Sequence, residues 1–161
     1  MTKQEFKNIY NEYFDVIRNY VYYRSGDTEL ATDITQETFI KVWEKQFETK
    51  SGQIKSLLYK IAGDIFVNPI RHKKIEEDNV YELKFRLTQA DNKSEGDPEK
   101  KRKFEKALAK IPHKQRTVFL MNKIDGLTYK EIAEDLNLSR KAVEKRMSQA
   151  LKTLKKLVNI V

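Results

Sequence analysis

The chain of 161 residues contains no cysteine, which excludes disulfides and thiolate metal sites and points to a reducing, intracellular setting. It has no uninterrupted apolar run long enough to span a bilayer, and its start, "MTKQEFKNIYNEYF", lacks the apolar core of a signal peptide. A cytoplasmic protein without membrane insertion is the expectation. There is no phosphate-cradling glycine loop, no paired-histidine helix and no nucleophile with a base near it in sequence. The two histidines, His72 and His113, both sit in basic surroundings. No catalytic role, metal or cofactor is therefore expected. Hydrophobic residues make up only 39%, little for one large core but enough for two small ones.

Positive charge is what the chain has in excess, and it is unevenly placed. The net charge is +8. Residues 1–75 hold 12 basic and 10 acidic side chains, residues 76–103 hold 7 and 8, and residues 104–161 hold 13 and 6. A basic excess confined to the last third is the electrostatic footprint of a nucleic-acid or anionic-surface binder. The middle segment, "EEDNVYELKFRLTQADNKSEGDPEKKRK", is charge-rich and apolar-poor, with Ser94, Gly96 and Pro98 close together. It reads as a flexible linker over 76–103 between domains at 1–75 and 104–161.

The first block reads as three helices. Thr2 and Glu5 form a capping box ahead of Phe6, Ile9, Tyr13 and Tyr20, until "RSGD" breaks the pattern near residue 24. Asp27 or Thr28 caps a second helix reaching about Phe47, and a third starts near Gln53. On the second, Ala31, Ile34, Thr38 and Val42 suit a core while Asp33, Gln36, Glu37 and Glu44 cluster opposite. Ile40 lies within the acidic side, and Phe39, Trp43 and Phe47 widen the apolar surface. An acid-rimmed apolar patch carrying an aromatic suits a protein partner.

The last block reads as a helix-turn-helix. A helix beginning at Pro112 ends before Gly126, Thr128 and Glu131 form a second capping box, and only "NL" separates that helix from the cap Ser139. On the final helix Val143, Met147, Ala150, Leu154 and Leu157 form the inner stripe. Lys141, Lys145, Ser148 and Lys152 lie opposite, flanked by Arg140, Glu144, Arg146 and Gln149. Such side chains neutralise phosphates and read base edges in the major groove.

These motifs also carry a family likeness. "DITQETFIKVWEKQ" resembles the region 2.2 signature of extracytoplasmic-function sigma factors, D-L-x-Q-E-x-F-x-x-x-W, and "IPHKQRTVFLMNKIDGLTYKEIAEDLNLSRKAVEKRMSQALKTLKK" is similar to sigma region 4. The resemblance implies an all-α protein of two small helical domains, sigma region 2 and sigma region 4. It implies that Asp33, Gln36, Glu37, Ile40 and Trp43 bind the β′ clamp helices of core RNA polymerase. It further implies a contact with the β flap, and promoter DNA and an anti-sigma factor as partners. Ser139, Arg140, Lys141, Glu144, Lys145, Arg146, Ser148 and Gln149 would read the minus-35 element. Lys60, Asp64, Asn68, Arg71, Lys73 and Lys74 would contact the minus-10 element, whose flipped bases the loop at 48–53 would capture. The chain departs from the family pattern at Arg140 and Lys141, where Glu-Gly is common. In "LLYKIAGDIFVNPIRHKK" it departs again, with Leu57 for Trp, Gly63 for Arg, Asp64 for Asn, Asn68 for Asp, and Pro69 within the usual helix. Pro69 should end or kink the third helix near Asn68. The function implied is promoter-specific initiation by core polymerase. Two other readings stand beside it: a helix-turn-helix regulator without a polymerase contact, and a degenerate sigma that occupies polymerase or an anti-sigma factor without opening promoters.

Overall fold

The computed structural model describes residues 1–46, 53–68 and 98–158, and every regular element among them is helical. Helix α1 spans Lys3–Ser25, α2 Thr28–Lys45 and α3 Ile54–Phe66. The Thr2 side chain accepts from the Glu5 amide at 3.1 Å while the Thr2 amide donates to the Glu5 carboxylate at 3.0 Å. An N-cap of this kind is worth about 1 kcal/mol. Gly26, at φ 71°, closes α1 in the left-handed conformation, its N–H returning to the Tyr22 carbonyl. Asp27 then caps α2 through the Leu30 amide at 3.1 Å. Helix α3 stops at Phe66, with Val67 as its C-cap and Asn68 outside it. Pro69, Phe47 and the loop at 48–52 lie outside the described residues.

The second unit begins earlier than the linker reading placed it. Helix α4 spans Pro98–Lys110, so the last residues assigned to the linker are helical. The reason is local: Pro98 is preset for a first helical turn, Glu99 meets its positive end, and Ala107 and Leu108 are buried. Residues 76–97 of that reading are outside the described residues. Helix α5 spans His113–Lys123, α6 Tyr129–Leu136 and α7 Arg140–Val158. The Thr128–Glu131 capping box starts α6, and its backbone bond, with its side-chain bond second, holds the Glu131 carboxyl below the usual range. Asn137 takes the left-handed φ of 53° that lets α6 turn directly into α7, and the Leu138 amide closes on the Ala133 carbonyl at 2.9 Å. Ser139 caps α7 through the Ala142 amide at 3.0 Å.

Helices α1–α3 and α4–α7 pack against each other, and their buried residues join in one apolar cluster rather than two separate cores. Arg116 is central to this contact. Its Nε donates to the Tyr23 carbonyl at 2.7 Å, an Nη also reaches the Arg24 carbonyl, and the other Nη reaches the carbonyls of Leu108, Ala109 and Ile111 at 3.3–3.4 Å. One guanidinium thus serves the C-terminal ends of α1 and α4, where carbonyls lack helical partners. Burial, reinforced by the Arg24 charge, lowers its pKa to about 10, which leaves it charged at neutral pH. Tyr23 Oη donates to Asp125 at 2.6 Å, Ser56 Oγ donates to the Glu134 carbonyl at 3.1 Å, and Lys55 pairs with Asp135 at 3.1 Å. Burial raises the Asp125 and Asp135 carboxyls against the opposing pull of those partners.

Candidate protein-binding and nucleic-acid interfaces

The α2 surface follows from its helical register. Ala31, Ile34, Thr38 and Val42 are buried, and the Thr35 and Thr38 hydroxyls satisfy themselves on the carbonyls of Ala31 and Ile34. Asp33, Gln36 and Glu44 are exposed, Glu37 is half-buried, and Ile40 stands 54% exposed among them. Phe39 departs from expectation. It is 2% exposed rather than part of the surface, because its ring packs on Phe6, Tyr10 and Phe14 of α1 at 5.1–6.4 Å between centroids. Trp43 is half-buried against Phe6, whose ring lies 5.1 Å away. Together with Lys3 and Glu44, residues Phe6, Ile40 and Trp43 line an open groove of about 300 Å³. Lys3 and Phe6 were not foreseen as part of this patch. The only sequence signal was the i, i+4 pairing of Phe6 with Tyr10, which reads equally well as core.

On α7 the buried stripe and the exposed basic face lie on opposite sides. Val143, Met147, Ala150 and Leu154 are buried beneath α7, while Ser139, Arg140, Lys141, Glu144, Lys145, Ser148 and Gln149 are exposed. Arg140 and Glu144 pair at 3.4 Å along the helix, an exposed contact of a few tenths of a kcal/mol that a DNA base could displace. Gln149 accepts from the Gln115 side chain at 3.3 Å. Arg146 is placed differently from its neighbours. It is half-buried and faces the first unit, where burial and then the Arg24 charge lower its pKa. In this arrangement it lies off the exposed face that carries Lys141, Lys145 and Ser148.

Of the residues assigned to the minus-10 element, Lys60, Asp64 and Asn68 are exposed on α3 and just past its end. Arg71, Lys73 and Lys74 are outside the described residues. Lys60 and Asp64 also line a cleft between the two units with Arg146. No helix among the described residues is long and apolar enough to cross a membrane.

The comparisons with known proteins agree on both units. The family description "Sigma-70 region 2" matches residues 9–74, and "Sigma-70, region 4" matches residues 101–154. The RNA polymerase sigma factor YlaC of Bacillus subtilis is 27% identical over 169 aligned positions, which cover 96% of this chain and 92% of that one. The ferric citrate uptake sigma factor FecI of Escherichia coli is 25% identical, covering 91% of this chain and 86% of that one. Among solved structures, the sigma factor RpoE bound to the anti-sigma factor NepR from Bartonella quintana aligns over 98% of both chains, with a TM-score of 0.68 and 24% identity.

Proposed function

Because the chain belongs to the sigma-70 family as an extracytoplasmic-function sigma factor, which binds core RNA polymerase and directs promoter-specific initiation, we propose that two of its surfaces divide this work. The α2 face of Asp33, Gln36, Glu37, Ile40 and Trp43 docks on the β′ clamp helices, and the exposed face of α7 reads the minus-35 element. Any chemistry belongs to the polymerase. The observation that carries the first assignment is Ile40, a large aliphatic side chain left 54% exposed inside an acidic rim and next to the Phe6–Trp43 groove. Burying such a residue against a partner recovers hydrophobic free energy that solvent exposure forgoes, while the acids select a basic or amide-rich surface.

For α7 the supporting feature is the run of Lys141, Lys145 and Lys152 on one exposed side, with Arg140, Ser148 and Gln149 beside it. The lysines suit phosphates and the others suit base edges. Lys60, Asp64 and Asn68 are assigned to the minus-10 side of the promoter, with Arg71, Lys73 and Lys74 continuing the set. The RpoE neighbour is held by an anti-sigma factor, and a partner of that class is assigned to this chain as well.

Co-purification of core polymerase with Ile40→Lys tests the first surface. We expect the variant to keep its helicity and lose most of its core enzyme. Retention of both would remove α2 as the docking face.

A further inference from the structure

The cleft between the two units has features that promoter recognition does not require. Its volume is about 310 Å³, at the lower end of the range of small-ligand sites, about 300–1,000 Å³. The first unit contributes Arg24 and Lys60 to its walls, and the second contributes Lys114 and Arg146. Two carboxylates share the lining, Asp64 and Asp135, but Asp135 is already engaged by Lys55 from outside it. Positive charge is therefore in excess and poorly compensated. Arg24 donates to two uncharged acceptors, Tyr20 Oη at 2.9 Å and His113 Nδ1 at 3.3 Å, and its guanidinium lies over the Phe66 ring at 4.6 Å. Among the described residues Arg146 has no carboxylate partner, and the nearby Arg24 charge opposes its own.

Two further details favour an anionic occupant. Tyr59 lines the cleft, is only 2% exposed, and its hydroxyl has no hydrogen-bond partner. A buried donor without an acceptor is costly and rare. Gly63 also lines the cleft, and a Cβ there would stand 3.2 Å from Tyr20 Oη and 3.3 Å from Arg24 Nη1. The sigma pattern has arginine at this position, so the glycine keeps open a space that a long cationic side chain would otherwise crowd. Leu136, Leu138 and Val67 form an apolar flank.

We propose that this cleft binds a small molecule bearing a diphosphate group, held by cations from both units, with the Tyr59 hydroxyl as a further donor. Phosphate oxygens supply the anionic partners that Arg24 and Arg146 lack and an acceptor for the Tyr59 hydroxyl, and charge-assisted bonds of this kind are the strong ones. Because the cations come from both sides, the bound ligand stabilises the two units as one body. The site is distinct from the α2 groove and from the exposed face of α7. Lys60 is shared with the proposed DNA contacts, whereas Arg146, Lys114, Gly63 and Tyr59 are not, which separates the two roles experimentally.

The test is isothermal titration calorimetry on the full-length chain in magnesium-free buffer, with inorganic pyrophosphate and with adenosine 5′-diphosphate as probes and adenosine as the uncharged control. We expect one saturable site per chain for at least one of the two diphosphates and none for adenosine. Lys60→Ala and Lys114→Ala, both at exposed positions, should each weaken binding by roughly tenfold. Gly63→Arg should abolish it. Since that variant crowds Tyr20 and Arg24, Lys114→Glu provides a second loss-of-binding change at a position where folding is not at risk. Preference between the two probes tells a free diphosphate from a nucleoside-borne one. Absence of saturable binding to either probe, or binding indifferent to Lys60 and Lys114, overturns the proposal. So does a result in which the same substitutions weaken only duplex DNA, because the cations would then be backbone contacts.

Discussion

Replacing Arg116 with methionine keeps an unbranched side chain but removes every donor at the meeting point of α1, α4 and α5. Five carbonyls lose their guanidinium partner, and the two nearest, those of Tyr23 and Arg24, belong to the last turn of α1. A hydrogen bond from a charged group is worth about 1.5–3 kcal/mol net. Two such bonds, with lesser contributions from the three longer ones and some relief from no longer burying a charge, give a loss of about 3–5 kcal/mol. For a chain of this size that lowers the melting temperature by roughly 10 °C. Arg116→Lys retains the charge but not the fork, and should fall between the two. The chain's single tryptophan, Trp43, lies in the first unit, so urea unfolding can follow that unit by fluorescence and both units by far-UV circular dichroism. In the parent protein the two curves should coincide, and in Arg116→Met they should separate as the units unfold independently. A methionine variant within about 1 kcal/mol of the parent, with coincident curves, would show that Arg116 does not couple the units.

The other predictions concern single surfaces and one titration. Lys145→Ala should weaken promoter binding uniformly across sequences and reduce the salt slope by roughly 0.9. Arg140→Ala should instead cost about 1–3 kcal/mol on the preferred site and relax discrimination there, as measured by competition binding with single-base variants. Tyr23→Phe removes the inter-unit bond to Asp125 and should destabilise by about 1 kcal/mol in the same urea assay. Burial raises the Asp135 pKa, so the folded chain takes up this proton more readily than the unfolded one. The parent should therefore gain stability relative to Asp135→Asn as pH falls through that raised value toward the ordinary carboxylate pKa near 4, and lose it as pH rises. Melting temperatures of both proteins across that pH range check the sign.

What could be read in the sequence was what short-range chemistry encodes. The capping residues Thr2, Asp27, Thr128 and Ser139 mark the starts of α1, α2, α6 and α7, because each cap bonds within three residues of itself. The inner stripe of α7 follows from periodicity alone, with Val143, Met147, Ala150 and Leu154 all buried. Contacts set by distant partners were not legible. Phe39 sits at the edge of the apolar face of α2, and only the aromatic surface of α1 draws it inside. Arg116 looks like one more basic residue in "HKQR" until the ends of two other helices converge on it. Arg146 lies beside the exposed basic face of α7 by register, and the packing of the first unit turns its position into part of a cleft. The helical start at Pro98 was masked by the charge of "PEKKRK", which reads as linker when composition is weighed ahead of the Phe104, Ala107 and Leu108 stripe.

Promoter-directed runoff transcription with purified core polymerase tests most directly whether the α2 face docks polymerase and the α7 face holds the promoter, with the parent protein compared with Ile40→Lys and Lys145→Ala on promoters selected from genomic DNA. A discrete runoff product is expected with the parent. Ile40→Lys should lose that product despite intact promoter binding by the free protein, and Lys145→Ala should show a salt-sensitive reduction despite intact core binding. Undiminished transcription by a folded Ile40→Lys protein would contradict the assignment of α2 as the polymerase-binding face.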